Sequence, residues 1–446
     1  MLIITIHKGL DIPMAGAAGG TITDRRDAKR YGVSPKDYVG LKVRVVVEEG
    51  QPVRKGDALM VDKDDERIRL TSPVDGKITK IARGERRQVE MIEIERCDSG
   101  EERTYDTQGL KASMLQSGLW AALKQRPFGI IPDPDDHPRD IFVSTFDSAP
   151  LAVDGNTIFQ EERHREATLH GLVALTGLTD GKVYVGIDDA SEWIEAALRG
   201  KRRFVFTKFE GKHPAGNVGV QISKTRPINK GERVWTMGIQ DVITLGILAH
   251  EGKYEPERVV AICGPAASHP AYFRVITGVA LETLLHDESL DGKRIVSGNV
   301  LSGTRRTCDS YLGAGDSQVT LLEEGDRHEF MGWIAPGLKK HSFSGTFLSG
   351  ILPRLFRSSM RYNTGVHGGV RPLVMTGNFE RVVPMDIYPL QLIKAAVIGD
   401  IELMEALGIY EVEPEDLALC EYIDPSKTEI QSIIRQALEL CRKEGV

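Results

Sequence analysis

IFVSTFDSAPL, residues 141–151, is where the periodicity of the chain changes. Ile141 to Phe146 has the apolarity of a buried strand, and Asp147, Ser148 and Pro150 end it. Beyond the turn, Thr157 to Leu175 has helical spacing and stops at Gly177. A strand follows at Val183 to Ile187, a short helix at Ser191 to Arg199, and a strand at Phe204 to Thr207. Strands alternating with helical segments argue for a parallel sheet. In such a sheet a dinucleotide needs glycines at the first strand-to-helix turn, because the backbone must approach the pyrophosphate closely at a helix N-terminus. Here that turn reads Asp147-Ser148-Ala149-Pro150-Leu151, with no glycine, and Pro150 lacks an N–H.

The layout is therefore Rossmann-like without its phosphate-binding device. A later glycine-bearing stretch, GKHPAGNVG at 211–219, lacks the Gly-Lys-Ser/Thr ending of a P-loop. It reads as a turn between elements, with a ligand cleft as the alternative. His213 has no acidic or cysteine neighbour at metal-ligand spacing. We assign residues 98–256 to this α/β domain. Its first part, 98–140, is a polar connector in which Pro127, Pro132, Pro134 and Pro138 disfavour regular structure.

Residues 1–97 read as all-β. Leu41 to Glu48 alternates apolar and polar, as a half-buried strand does, and strands recur at Lys77 to Ile81 and Val89 to Glu95. The segment EEGQPVRKGDALMVDKDDERIRLTSPVDGKITKI, residues 48–81, resembles biotinyl/lipoyl-type barrel-sandwich domains. Asp62-Lys63 and the turn Pro73-Val74-Asp75-Gly76 stand where those domains carry their acylated lysine and its following turn. The highly charged DKDDER surround makes Lys63 a solvated turn lysine rather than an attachment site. Arg83-Gly84-Glu85-Arg86-Arg87 reads as a solvated hairpin, with a basic docking loop as the alternative.

Residues 257–319 form a mixed unit: the strand ERVVAICG, a helical stretch around Val279 to His286, and the strand RIVSGNV. Residues 320–446 are mixed, then helical. Leu390, Ile393, Val397, Ile401 and Met404 share helical spacing, with Gly408 as the stop. The last helix opens on Ser426-Lys427-Thr428-Glu429, a capping-box pattern, with an apolar stripe of Ile430, Ile433, Ala437 and Leu440.

The 446 residues exceed one compact core, and domains of ~100–200 residues imply three or four. A net charge of −7 gives no overall attraction to nucleic acid. No apolar run reaches the roughly 18 residues of a transmembrane helix, and the opening MLIITIHKGLDIPM is too short and too soon charged for a secretory signal. Cys97, Cys263, Cys308, Cys420 and Cys441 are scattered and include no CxxC pair, so neither a disulfide framework nor an iron–sulfur cluster is expected. GxSxG, HExxH and P-loop motifs are absent, and His164 and His170, six apart, do not share a helix face. No catalytic, cofactor-binding or metal residue is assigned.

The pieces KGLDIPMAG, SPVDGKITKIARGERR, HPAGNVG, VWTMGIQDVITLG, ERVVAICGP, SGNVLSG, FMGWIAPG and LALCEYIDPSK occur in that order. Together they resemble the A subunits of Na+-translocating NADH:quinone reductases, across residues 8 to 427. The resemblance implies an α+β multidomain fold: a barrel-sandwich domain (1–97), a Rossmann-like domain (98–256), a β-grasp-like domain of the soluble-ligand-binding type (257–319) and a C-terminal part (320–446). It implies a peripheral protein on the cytoplasmic side of the bacterial inner membrane, at the quinone-reducing end, with subunits B to F as partners, chiefly the membrane-embedded B subunit. NADH, flavins, iron–sulfur and ubiquinone would be handled in or through other subunits, with a quinone contact here left open. The same resemblance relates the fold to the NADH- and FMN-binding subunit of complex I, whose glycine-rich loop and cysteine set this chain lacks. Cys420 and Asp424 stand where the end of a cluster motif would carry two cysteines.

Overall fold

The computed structural model describes residues 1–97, 103–325, 360–366, 369 and 371–444. From Leu2 to Arg96 the chain forms β1 (Leu2–Ile6), β2 (Gly19–Asp24), β3 (Arg30–Val33), β4 (Val43–Val45), β5 (Pro52–Val53), β6 (Ala58–Asp62), β7 (Arg69–Thr71), β8 (Gly76–Arg83) and β9 (Val89–Arg96). Two small antiparallel sheets, β3-β9-β8-β5 and β4-β6-β7, make the expected barrel-sandwich. Leu59, Met60, Leu70, Ile78, Ile92 and Ile94 share its core. The strand expected over Leu41 to Glu48 shortens to β4. A turn in which Gln51 N–H donates to Glu48 O, 3.1 Å, draws the chain out of the sheet. β1 and β2 leave this unit and pair with strands further along the chain.

The next stretch forms α1 (Leu110–Ser117), β10 (Lys124–Arg126), β11 (Ile141–Ser144), α2 (Gly155–Ile158), α3 (Glu162–Leu175), β12 (Val183–Ile187), α4 (Glu192–Ala197), β13 (Phe204–Gly211), α5 (Val218–Thr225), β14 (Val234–Thr236) and α6 (Ile239–Glu251). Its sheet runs β1-β13-β12-β11-β14-β10, parallel except for β10. Alternate residues face opposite sides. Ile141, Val143, Val183 and Val185 share a core with Leu172 and Leu245 of α3 and α6, while Phe142 meets Ile222 of α5. α3 and α6 cross tightly because a Cβ on Gly246 would lie 1.8 Å from Ala167 O. The connector expected to lack regular structure holds α1 and β10. The helix expected over 157–175 is broken between α2 and α3, where side chains bond the freed carbonyls. Arg165 Nε donates to Phe159 O (2.8 Å), and His164 Nδ1 lies 3.1 Å from Ile158 O.

Then come β15 (Glu257–Cys263), β16 (Ala271–Ile276), α7 (Leu281–Leu284), β17 (Lys293–Ser297), β18 (Thr304–Arg306) and β19 (Gln318–Glu323), in a mixed sheet ordered β18-β17-β19-β15-β16-β2. The helix around Val279 to His286 is the single turn α7. The segment FMGWIAPG, 330–337, lies outside the described residues.

The C-terminal part forms α8 (Phe379–Val382), α9 (Pro389–Ile398), α10 (Ile401–Ala406), α11 (Ala418–Ile423) and α12 (Ile430–Glu444). The Leu390–Met404 run breaks at Gly399, whose φ of 73° ends α9, and Asp400 caps α10 by accepting Leu403 N–H, 3.0 Å. Val397 is left 59% exposed. Ser426 does not cap α12. Its hydroxyl accepts Arg371 N–H (2.9 Å), while Glu421 Oε2 accepts Gln431 N–H (3.1 Å). The buried stripe of α12 is Ile430, Ile434, Ala437, Leu438 and Cys441, rotated from the one expected.

Candidate functional site

In open α/β sheets ligands bind beyond the carboxyl ends of the strands. Here those ends carry the glycine-free turn after β11 and the GKHPAGNVG stretch after β13. The two close on each other. Ser148 Oγ lies 3.0 Å from His213 Nδ1 and accepts Gly216 N–H at 2.8 Å. Gln318 Nε2 ties the turn to β19 through Pro150 O, 3.0 Å. From the N-terminal loop, Leu10 N–H donates to His213 O (2.9 Å), and Asp11 Oδ1 accepts His213 N–H (3.1 Å).

The glycines serve this closure. A Cβ on Gly9 would lie 2.1 Å from His213 O, one on Gly216 2.5 Å from Ser148 N, and one on Gly219 2.3 Å from both Arg126 Nη1 and Asp416 Oδ2. Backbone and side chains of the same molecule thus occupy the close approach that glycines elsewhere offer to a phosphate. Burial, with His213 only 5% exposed, pushes its imidazole down to about 4, against the opposing pull of the Asp11 and Glu415 carboxylates. Asp11, Glu415 and Asp147 are exposed here beside the exposed Lys8 and Lys212.

The other residues weighed in the sequence lie apart. Lys63 is exposed between β6 and β7. Its hairpin is tied down, because Arg67 bonds both oxygens of Asp135 at 2.9 and 2.6 Å while also holding Asp65. Arg86 and Arg87 are exposed with φ of 53° and 60°, and Arg83 Nη1 donates to Arg87 O, 3.2 Å. Cys420 is fully buried among apolar side chains, which pushes its thiol far up. Asp424 accepts Thr428 N–H (2.9 Å) and Oγ–H (2.6 Å), a turn-capping role. His170 stacks on His250 of α6 at 4.0 Å. Among the described residues no three or more His, Cys, Asp or Glu are grouped to hold a metal ion, and no helix is long and apolar enough to cross a membrane.

Sequence reasoning missed two features. One is a cleft of about 570 Å³ between the Asp62–Asp65 hairpin, the Gln125–Ile131 stretch and Tyr410, with Ile68, Phe128, Ile130 and Ile131 on its walls. The other is a charge network centred on the buried Arg126 and Asp416. Arg126 bonds Asp416 (2.9 Å) and Glu415 (2.7 Å), and Arg435 bonds Glu413 (2.7 Å) and Phe128 O (2.7 Å). Arg126 and its partners are almost 300 positions apart, and no local pattern marks them.

Comparison with known proteins covers nearly the whole chain. Residues 4–97 match the family described as the NqrA N-terminal barrel-sandwich hybrid domain, 105–254 the NqrA second alpha/beta domain, and 259–307 the NQRA C-terminal domain. The chain is 38% identical over 455 residues to the A subunit of the Na(+)-translocating NADH-quinone reductase of Yersinia pseudotuberculosis, covering 99% of this chain and 100% of that one. The proteins of the same name from Alcanivorax borkumensis and Serratia proteamaculans are 36% and 38% identical, with the same coverage. Among solved structures, an NAD+-reducing NiFe-hydrogenase in the air-oxidized state aligns with a TM-score of 0.37 and 11% identity, over 74% of this chain and 63% of that one, too weak a likeness to support an argument.

Proposed function

Because this chain belongs to the family of A subunits of the Na(+)-translocating NADH-quinone reductases, we propose that it serves that sodium-pumping oxidoreductase as a peripheral docking protein without a redox centre of its own. Other subunits of the complex are its partners. We place it on the cytoplasmic side, at the quinone-reducing end beside the membrane-embedded B subunit. We read the six-stranded, mostly parallel sheet as Rossmann-like and the β15–β19 unit as β-grasp-like. NADH, flavin and iron–sulfur chemistry belong to other subunits.

The observation that carries this reading is the closed turn at Ser148 and His213. The packing of Gly9, Gly216 and Gly219 against the chain's own atoms leaves a pyrophosphate no backbone cradle. Quinone sites are largely apolar with a few polar groups, whereas the cleft beside Phe128, Ile130 and Ile131 is also lined by Asp62, Asp133, Lys230, Glu232 and Arg233, so we place no quinone contact there.

The natively purified chain is expected to be colourless, with Lys63 unmodified in its intact mass. Stoichiometric flavin absorbance or bound iron would refute the reading. Expressed alone, the chain should stay off membranes. Co-expressed with the B subunit, it should sediment with them and co-purify in detergent. Tight binding to protein-free liposomes at physiological salt would count against partner anchoring.

A further inference from the structure

Among the described residues the central sheet ends on an unpaired edge at β1, which pairs with β13 alone. Lys212 N–H donates to Ile6 O at 3.1 Å. Backbone groups alternate sides along a strand, so Leu2, Ile4 and Ile6 face β13, while Ile3 and Thr5 turn N–H and C=O outward. The side chains alternate between the faces of the sheet. Ile4 and Ile6 pack into the core of the C-terminal helices, whereas Leu2 and Ile3, on opposite faces, are 60% and 57% exposed. Edge strands are usually blunted by Lys, Pro, a bulge or a charge. Residues 1–6, MLIITI, contain no Lys, Pro or charged side chain, and the register with β13 is unbroken.

We infer that β1 receives an extended segment of another protein of the complex, apolar on both faces, as a seventh strand. This rests on the docking role proposed for the chain. Main-chain hydrogen bonds to Ile3 and Thr5 would hold the segment, and its side chains would cover Leu2 on one face and Ile3 on the other. Area decides between a partner and a second copy. Stable interfaces bury ~1,200 Å² or more, and two five-residue strands paired about a two-fold axis fall well short of that. A segment tethered to a partner that is held elsewhere in the complex needs less, because tethering raises its effective concentration to about the millimolar range.

The test uses the assembled complex, with photoreactive p-benzoylphenylalanine in place of Ile3, and separately Thr5→Pro. Proline at Thr5 removes an outward N–H and spares the ladder to β13. We expect one crosslink to a different protein of the complex, and roughly tenfold or greater loss of assembled complex in T5P with an unchanged melting temperature of the isolated chain. Should T5P melt lower, Ile3→Lys gives the same measurement with the backbone intact. Crosslinks only between copies of this chain, or none, together with normal assembly of the variants, would overturn this inference alone. A wild-type chain that joins no other component of the complex would overturn the docking role as well.

Discussion

His213 shows how one residue can be built into a turn without doing chemistry. It is held by Ser148, Asp11 and Leu10 and kept neutral by burial. Its folded value of about 4 lies below the ordinary value near 6.5. Between those values the unfolded chain binds the proton and the folded chain does not. The contribution is complete above pH ~6.5 and is lost as pH falls toward ~4, amounting to about 3 kcal/mol at most. Asp416 and Glu413, which burial pushes upward, act in the opposite sense and take up protons first in the folded chain. A His213→Gln comparison separates the two effects. Urea midpoints of the wild type should fall more steeply than those of the variant between pH 6.5 and 4. At Cys420 a serine would bury a hydroxyl among apolar side chains. We expect C420S to lose about 1–3 kcal/mol in urea unfolding while electron transfer by the assembled complex is kept, since the thiol is free and buried in the apolar core.

Among the elements, the α3–α6 pair depends on two missing side chains. A Cβ at Gly171 would lie 2.0 Å from Val242 O, and one at Gly246 1.8 Å from Ala167 O. Neither contact is with a flexible side chain, so the helices themselves must separate. Gly246→Ala should destabilise by about 1–3 kcal/mol through overpacking, despite alanine's better helix propensity, and the urea midpoint with an unchanged m-value would show it. Helix ends were harder to read than helix existence. The sequence around Ser426 to Glu429 has a capping box, yet the carboxylate that caps α12 is Glu421, from the preceding helix. Spacing alone cannot choose between a local hydroxyl and a carboxylate brought in by tertiary packing. The break at Gly399 has the same cause: the apolar period continues through it, but the left-handed turn sends α10 in a new direction.

For the whole molecule, the C-terminal helices are locked to the central sheet by Arg126, which is 4% exposed at the end of β10. Removing one partner of a buried ion pair leaves the other charge without compensation, at about 3–5 kcal/mol. Arg126→Met strands Asp416, whose side chain has no exposed surface. The variant should lose that much stability and expose the C-terminal part to limited proteolysis, with cleavage before loss of the barrel-sandwich as the diagnostic order. Arg126→Lys should rescue it only in part, because an ammonium cannot span Asp416 and Glu415 as the guanidinium does.

What the sequence determined by itself was local and periodic. Two-residue alternation at Leu41 to Glu48 marked the strand that became β4, further strands were legible at β8 and β9, the apolar runs marked β11, β12 and β15, and a turn without glycine at Asp147 to Leu151 argued against a phosphate cradle. What only the tertiary structure decided was everything set by contact between distant segments. β1 left the N-terminal unit to pair with β13, the glycines of GKHPAGNVG closed on Ser148, Arg126 and Asp416, and Arg126 found Asp416 across 290 residues. The physical reason is that side-chain period and turn chemistry are fixed by neighbours along the chain. A buried charge or a close backbone contact, by contrast, is stable only once both partners have been folded into the same place.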